Sequence, residues 1–587
     1  MIEFDKAREK ALQELKLTYT VTVLNDREIK HQEFKKAAEA WSIQTEIFLP
    51  DESVRVIEIF CVLPEEFPLQ LPVFYLSEND YEWIKYIPHV NTNRLVCLFD
   101  DESIIVNPER PAGIIKECIE KARSTLQDGL KEKNAGDFRE EFLAYWEDAY
   151  DQKDEIIAGL SIVGSGDEIT PGKIKLVKLN IAYQGYYYAL VSDNKESLNY
   201  KNYLDDIGIQ YEEHDVFFLG DLQDLEPPFF YDNEKVYELI KTHKSDLIAS
   251  YKNFINDHLY PKVVLFDTVI KGRCLFFGCF IPPLTIKRNG FRANILSPFT
   301  VYNTYQKHDP VSRITFEEFT TKRLEHRTEG PQIKNNSFAL TFSGLGSIGS
   351  NLLHYLYTSE LKKLVLIDPE TLTVANINRH LLGMSYVNYP KADALRHFFK
   401  SKNPLISIES YEASVISLIR NQKELFNDAD YNFVAIGKDN IEQYIVDCLN
   451  SSVLLKPTFI LWVEPYLCGG HCIYVNPGHY LDYSSLYIDN YYKFNVIATE
   501  EYLNPDRRLT FREAGCQSSY VPYGQKSILL FMASLMPAIF NVMGTNGAEN
   551  LRFTWKGNEK ILEELKLKTS KEADRIKFGE LQISNLS

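Results

Sequence analysis

Residues 338–368 read FALTFSGLGSIGSNLLHYLYTSELKKLVLID, and this stretch decides the fold of the C-terminal part of the chain. The apolar run Phe338 to Phe342 predicts a strand, Asn351 to Thr358 a helix, and Lys363 to Ile367 a second strand. Between the first two lies the loop Gly344-Leu345-Gly346-Ser347-Ile348-Gly349. Strand, glycine loop, helix and strand open a βαβ unit, which predicts a doubly wound, Rossmann-like α/β domain. Glycines let the backbone approach phosphate, and the N-terminus of the helix supplies N–H donors and positive potential. Asp368, 19 residues beyond Gly349 at the end of the second strand, sets a carboxylate where ribose hydroxyls would lie.

A hydride-transfer enzyme would use the same loop, so the discriminating residues are those that follow. Asn376, Arg379 and Lys391 come in order behind Asp368, and a later predicted strand, Asn432 to Ile436, ends in Gly437-Lys438-Asp439-Asn440. Cations beside a nucleotide loop suit the charge that develops when a carboxylate attacks the α-phosphate of ATP and pyrophosphate leaves. An aspartate at the next strand end suits Mg²⁺. Taken singly, Arg379 or Lys391 would be an ordinary surface charge and Asp439 a helix cap; their joint order carries the reading.

Outward from this core, the 587 residues exceed one hydrophobic core and predict about three domains. Residues 1–152 read as α+β, with strands at Ile43 to Phe48 and Val54 to Leu63, breaks at Pro64, Pro68 and Pro72, and helical patterns at Ala112 to Leu126 and Phe138 to Tyr150. Residues 153–330 read as a strand-rich linker domain, with strands in Ile174 to Tyr183, Tyr186 to Ser192 and Val263 to Ile281 and no chemical motif. Residues 331–587 form the α/β domain, whose last 30 residues are charged and expected at the periphery. The formal charge of −18 gives no general attraction to nucleic acid or an anionic membrane, so protein and nucleotide are the expected partners. Nine cysteines without a dense framework fit a reducing, cytoplasmic setting. No stretch of about 18 apolar residues is expected anywhere in the chain, and a soluble protein is expected.

Two thiols have chemical context. Cys516 sits in Arg512-Glu513-Ala514-Gly515-Cys516-Gln517, ahead of a helical run from Ile528, where an exposed thiolate beside an arginine would attack an acyl adenylate. Cys97 ends the series Pro64-Glu65-Glu66-Phe67-Pro68, Pro72, Pro88-His89-Val90-Asn91 and Arg94-Leu95-Val96-Cys97-Leu98. The alternatives are a half-buried structural thiol at either position and an Asn91 that caps its own turn. Cys448, Cys468 and Cys472 lie in apolar contexts, and Cys61 and Cys118 have no comparable surroundings.

The series Asp368-Pro369-Glu370, Asn376-Ile377-Asn378-Arg379-His380, Lys391 and Asp439-Asn440 resembles the signature of the ubiquitin-activating superfamily that includes ThiF and MoeB, with Glu370 at the usual second aspartate. The resemblance implies that Gly344, Gly346, Ser347 and Gly349 cradle ATP, that Asp368 holds ribose, that Asn376, Arg379 and Lys391 hold the phosphates, and that Asp439 holds Mg²⁺. It also implies a homodimer through the adenylation domain, to which an arginine is contributed by the second subunit, with Arg327 in Glu325-His326-Arg327-Thr328 as the candidate. The N-terminal series resembles the ubiquitin-conjugating fold, whose proline-rich loop, H-P-N tripeptide and C-L dipeptide mark a thioester cysteine. Here Val90 stands at the usual proline, and the interval from His89 to Cys97 is short. By this resemblance Cys97 carries the thioester, Asn91 bonds the oxyanion or the loop, and His89 is structural.

Both resemblances in one chain, conjugating then activating, are similar to the bacterial fusion that accompanies cGAS-like nucleotidyltransferases in type II CBASS antiphage operons. Asn289-Gly290-Phe291-Arg292, Glu464-Pro465 and Gly469-Gly470-His471 are further phrases of that family. The resemblance implies adenylation of the C-terminus of a cGAS-like enzyme, or of a ubiquitin-like protein, relay from Cys516 to Cys97, and amide formation with a target amine. The rivals are a sulfur-carrier adenylyltransferase, a non-catalytic binding scaffold and a redox enzyme. The first often carries paired C-x-x-C zinc ligands, and Cys468-x-x-x-Cys472 is the nearest approach here.

Overall fold

The computed structural model describes residues 4–32, 34, 37–98, 104–148, 155–164, 172–222, 225, 231–257, 261–270, 272–284, 296–328, 337–357, 361–506, 509–512, 519–545 and 549–586. The chain forms two compact units, Met1–Ser197 with Gly208–Leu324, and Leu198–Ile207 with Glu325–Ser587.

The first unit holds two sheets. Its N-terminal sheet is an antiparallel meander of Thr20–Val23, Glu39–Phe48, Val54–Leu63, Val73–Leu76 and Leu95–Val96. The two long strands alternate apolar and polar residues, so Trp41, Ile43, Ile47, Ile57, Ile59 and Cys61 are buried on one face. Helix Pro111–Leu130 contributes Ile115, Cys118, Ile119 and Leu126 to that core. The predicted helix over 138–150 is two short helices, Asp137–Glu140 and Phe142–Trp146.

The second sheet has eight strands, in the spatial order Phe217–Asp221, Lys262–Ile270, Arg273–Ile281, Ser312–Glu318, Ile156–Ser161, Tyr186–Val191, Lys175–Tyr183 and Tyr211–Asp215. The expected strands are present, Val263 to Ile281 being a hairpin. Helices Asn233–His243 and Ile248–Asn256, and helix Lys195–Asp206, most of which belongs to the second unit, interrupt them in sequence and are not foreseen by the strand-rich reading. Phe142, Tyr145 and Trp146 are buried in the core of this sheet, with Phe266 and Phe277.

The second unit carries the doubly wound domain. Five parallel strands lie in the order Ser407–Tyr411, Leu361–Ile367, Phe338–Ser343, Tyr431–Val434 and Thr458–Val463, and Gly469–Val475, Leu551–Lys556 and Leu581–Asn585 extend them antiparallel. The chain reverses its direction across the sheet at Phe338–Ser343, which puts the ligand crevice beyond the end of that strand. The charged C-terminus is not merely appended, since Leu581–Asn585 pairs residue for residue with Leu551–Trp555 as the edge strand. Helix Gln525–Met543 corrects the expectation about apolar runs, because it is long and apolar enough to cross a membrane by length and composition. Its Ile528, Phe531, Met532, Leu535 and Ile539 are fully buried in the domain core.

Candidate active sites

The glycine loop begins where Gly344 takes φ +86°, the left-handed region that favours glycine, and a Cβ there would lie 2.6 Å from the Ala435 carbonyl oxygen. A Cβ on Gly349 would lie 1.9 Å from the carbonyl oxygen of Gly344, so this glycine permits the helix Ser347–Leu356 to close on the strand. Gly346 differs, since a Cβ there would meet nothing within 4 Å. That open space is what an incoming phosphate requires. A cavity of about 210 Å³ lies here, walled by Gly344, Gly346, Asp368, Glu370, Lys391 and Lys438, with Ala413, Val415, Ile436 and Ile441 as an apolar side. Glycine loop, cations and apolar wall together fit a nucleotide.

Asp368 is buried, and its carboxylate accepts the backbone N–H of Leu345 at 2.6 Å and of Glu370 at 2.8 Å. Burial raises its pKa above the usual carboxylate range, against the Lys391 charge and these two hydrogen bonds. It therefore orders the loop as well as facing the cavity. Lys391 is buried at the start of helix Lys391–Lys402 and donates to Glu370 at 2.5 Å. That bond lowers the pKa of Glu370, whose side chain is 63% exposed. A buried ammonium held by an exposed carboxylate can be shared with an arriving phosphate at small cost.

Other expected residues stand outside the cavity wall. Asn376 accepts the N–H and hydroxyl of Thr373 with its amide oxygen and so braces its own turn. Arg379 has its guanidinium carbon 5.4 Å from the centre of the Tyr523 ring, and the Tyr523 hydroxyl lies 2.9 Å from Ser347 Oγ. Asp439 is exposed as the first residue of helix Asp439–Asn450 and accepts the Tyr487 hydroxyl at 3.2 Å. Among the described residues no three His, Cys, Asp or Glu side chains converge as a metal site. A single carboxylate suits Mg²⁺, which takes most of its ligands from phosphate and water. Arg327 is exposed on helix Thr321–Thr328.

Three further contributors have no role assigned from the sequence, although Lys438 and His380 stand within the quoted phrases. Tyr523 follows a Val-Pro pair and belongs to no spacing pattern. Lys438 is a lone lysine until the strand end places it. His380 is buried with Nε2 2.8 Å from the Leu345 carbonyl oxygen and Nδ1 accepting the Leu382 N–H, which fixes a neutral tautomer behind the loop. Burial pushes its pKa down to about 4.

Cys97 is exposed, whereas the seven other described cysteines are buried. Its N–H donates to the carbonyl of His89 at 2.9 Å, and Val90 bridges to Val96, so the turn is tied end to end. His89 and Arg94 both take φ +67°, a costly conformation for residues with a Cβ. Asn91 accepts the N–H groups of Asn93 and Leu95 with its amide oxygen, which matches the turn-capping alternative. His89 faces Asp137 at 2.9 Å and Glu141 at 3.3 Å. The Cys97 thiol is pushed up, first by partial enclosure and then by the charges of Glu141 and Asp148.

Cys516 and the phrase at 289–292 lie outside the described residues, as does the side chain of Arg512. The strands Phe511–Arg512 and Ser519–Tyr520, which bracket Cys516 in sequence, pair with each other.

Residues 17–154 match the prokaryotic E2 family B, and residues 326–514 match the ThiF family. The chain thus joins an E2-like domain to a ThiF domain in one polypeptide, in the order read from the motifs. The adenylyltransferase and sulfurtransferase UBA4 of Kluyveromyces lactis is 25% identical over 124 residues, covering 21% of this chain and 28% of that protein. Similar solved structures include PaaA, at 15% identity over 42% of this chain and 64% of that one with a TM-score of 0.26. E. coli MccB with MccA-N7isoASN has the same identity and coverage with a TM-score of 0.28. At such values the likeness carries no conclusion about activity.

Proposed function

We propose that this chain activates the C-terminal carboxylate of a protein with ATP and passes it through two thioesters to an amine. The observation that carries the reading is the pairing, in one polypeptide, of a glycine-loop cavity holding Lys391 with one exposed cysteine, Cys97, among eight described. The carboxylate oxygen attacks the α-phosphorus of ATP and pyrophosphate leaves, with Lys391, Lys438 and Arg379 offsetting the developing charge. Asp439 would hold Mg²⁺, which neutralises the departing pyrophosphate. The thiolate of Cys516 then attacks the acyl carbon and AMP leaves. Cys97 displaces Cys516 by thioester exchange, and a target amine displaces Cys97, giving an amide and a free thiol. The tether raises the effective concentration of the second thiol to roughly the millimolar range.

The protein whose C-terminus is taken is a cGAS-like nucleotidyltransferase in antiphage defence, by the resemblance of the two motif sets in this order, and the enzyme works as a cytoplasmic homodimer. A second reading, adenylation of a sulfur carrier, is favoured by the name of the curated relative. The test incubates the chain with ATP, Mg²⁺ and a cGAS-like partner and follows thiol-sensitive adducts on non-reducing gels. Adducts are expected to vanish in Cys516→Ala and to stall on Cys516 in Cys97→Ala. Pyrophosphate exchange without adducts in any form would overturn the relay in favour of sulfur-carrier chemistry.

A further inference from the structure

The segment after helix Pro111–Leu130 presents two faces. Phe138, Phe142 and Trp146 fall at four-residue intervals and turn into the second sheet, where Phe142 meets Phe277 at 4.8 Å and Trp146 meets Phe266 at 5.3 Å between ring centres. Asp137, Glu141 and Asp148 fall on the other face, and these three, with the hydroxyl of Tyr145 at the edge of the core, each reach the Cys97 loop or its His89. Tyr145 accepts the His89 N–H on its hydroxyl at 2.7 Å and donates to Glu141 at 3.0 Å. Asp148 accepts the Thr92 N–H at 2.6 Å and the Thr92 hydroxyl at 2.7 Å.

The far end is anchored from the second sheet. Arg313, wholly buried in strand Ser312–Glu318, donates to the carbonyls of Trp146 and, at 2.7 Å, of Asp148, while Trp146 Nε1 donates to the Ile314 carbonyl at 3.2 Å. An arginine buried in this way serves as a fixed two-point clamp on backbone.

The geometry points to residues 137–148 as a positioning strap for Cys97, keyed into the second sheet by Arg313 and holding the strained His89–Cys97 turn from beyond helix Pro111–Leu130. The strap supplies what the turn lacks locally. Val90 stands where a proline would stiffen the backbone, and hydrogen bonds to His89 and Thr92 from a distant segment restrain it instead. It also contributes charge near the sulfur, because Glu141 and Asp148 are its residues; among the described residues Tyr145, Asp137, His89 and the loop's own Arg94 are the other titratable groups facing the turn. The second sheet is therefore part of the thiol site. Its role here rests on Cys97 being the relay thiol only for biological purpose; the positioning itself is a property of the thiol and can be read without any relay.

The experiment uses the full chain in a Cys516→Ala background and measures alkylation of Cys97 by iodoacetamide, by mass spectrometry, from pH 6.5 to 10. Glu141→Gln with Asp148→Asn removes the two charges at nearly constant shape. The alkylation midpoint is expected to fall, raising the rate at pH 7.5 about three- to tenfold, since nearby negative charge disfavours the thiolate. A midpoint unchanged or raised overturns the proposal. Tyr145→Phe, which loses one oxygen, provides a second reading if the double variant unfolds. Hydrogen exchange at the His89 amide is expected to rise about tenfold or more while helix Pro111–Leu130 keeps its protection, and an unchanged His89 amide overturns the clamp. Failure of the relay reading looks different, because the parent protein would then form no Cys97 thioester whatever these profiles show.

Discussion

The two candidate sites are built in opposite ways. The nucleotide cavity lies at the ends of adjacent parallel strands, and its glycines, Asp368 and Lys391 fall within 48 residues of one another. The Cys97 turn is short and strained, and its support comes from Asp137–Asp148 and, through Arg313, from a strand more than 200 residues away. A site at a topological switch point inherits its geometry from the sheet. A site on a surface turn must import its rigidity, and the import is invisible in the motif itself.

The sharpest way to separate the sites is Lys391→Ala. Loss of the buried ammonium is expected to slow ATP–pyrophosphate exchange about 10²- to 10³-fold, in line with removing one charge-stabilising donor. The fold should survive, because Glu370 is 63% exposed on its side chain and keeps its hydration, while buried Asp368 keeps its hydrogen bonds from Leu345 and Glu370 N–H and can take up a proton. Alkylation of Cys97 should not change. Equal loss at both sites would break the contrast and place Lys391 in the structure rather than in the chemistry.

A pH experiment sharpens it from the side of stability. His380 is buried and neutral, its pKa held at about 4 rather than the ordinary 6.5, so the unfolded chain takes up a proton that the folded chain refuses. Its contribution is complete above pH 6.5 and is lost as pH falls towards 4, up to about 3 kcal/mol across the window. Hydrogen exchange in the glycine loop and its helix should accelerate over that range, and His380→Gln should flatten the slope. Glu442, raised to about 7 chiefly by burial, pulls in the opposite sense, but it is present in both proteins and cancels in the difference. An identical slope in His380→Gln would remove His380 from the account.

Much of this contrast was legible in the sequence, and the rest was not for identifiable reasons. The strand expected at Phe338 to Phe342 is Phe338–Ser343, because an apolar run feeding glycines has few other solutions. The three-and-four spacing of apolar residues from Phe138 onward was visible, but not that those residues belong to the second sheet's core, which is a matter of tertiary partners. The helices of the middle region escaped notice because Lys195–Asp206 and Asn233–His243 carry only a few buried apolar positions each, too few for the period to stand out between strands. Helix Gln525–Met543 shows the converse, since its apolar content suits either a membrane or a core and only packing distinguishes them. Asn376 and Asn91 have the right identities for ligand contacts, yet both spend an amide oxygen on their own turns.

The smallest expected effect tests whether the nucleotide site is as local as its motif suggests. Tyr523 stands seven residues beyond Cys516 and touches the glycine loop through Ser347 and the Asn376–His380 turn through Arg379. Two further bonds fasten the same connection, from Gln525 Nε2 to Asn351 at 3.2 Å and from the Gln525 N–H to the Asn378 carbonyl at 3.3 Å. The chain around Tyr523 and Gln525 is thus tied both to helix Ser347–Leu356 and to the Asn378–Arg379 turn. Tyr523→Phe keeps the ring under Arg379 and removes only the hydroxyl, so a change of about 1 kcal/mol, roughly fivefold in the KM for ATP, is expected. Tyr523→Ala loses the cation–π contact as well, for about 1 kcal/mol more. If both variants exchange pyrophosphate like the parent, the cavity is self-contained and the contrast with the Cys97 turn stands at full strength. If the predicted losses appear, the nucleotide site also borrows from a distance, and the borrowed group lies seven residues beyond Cys516.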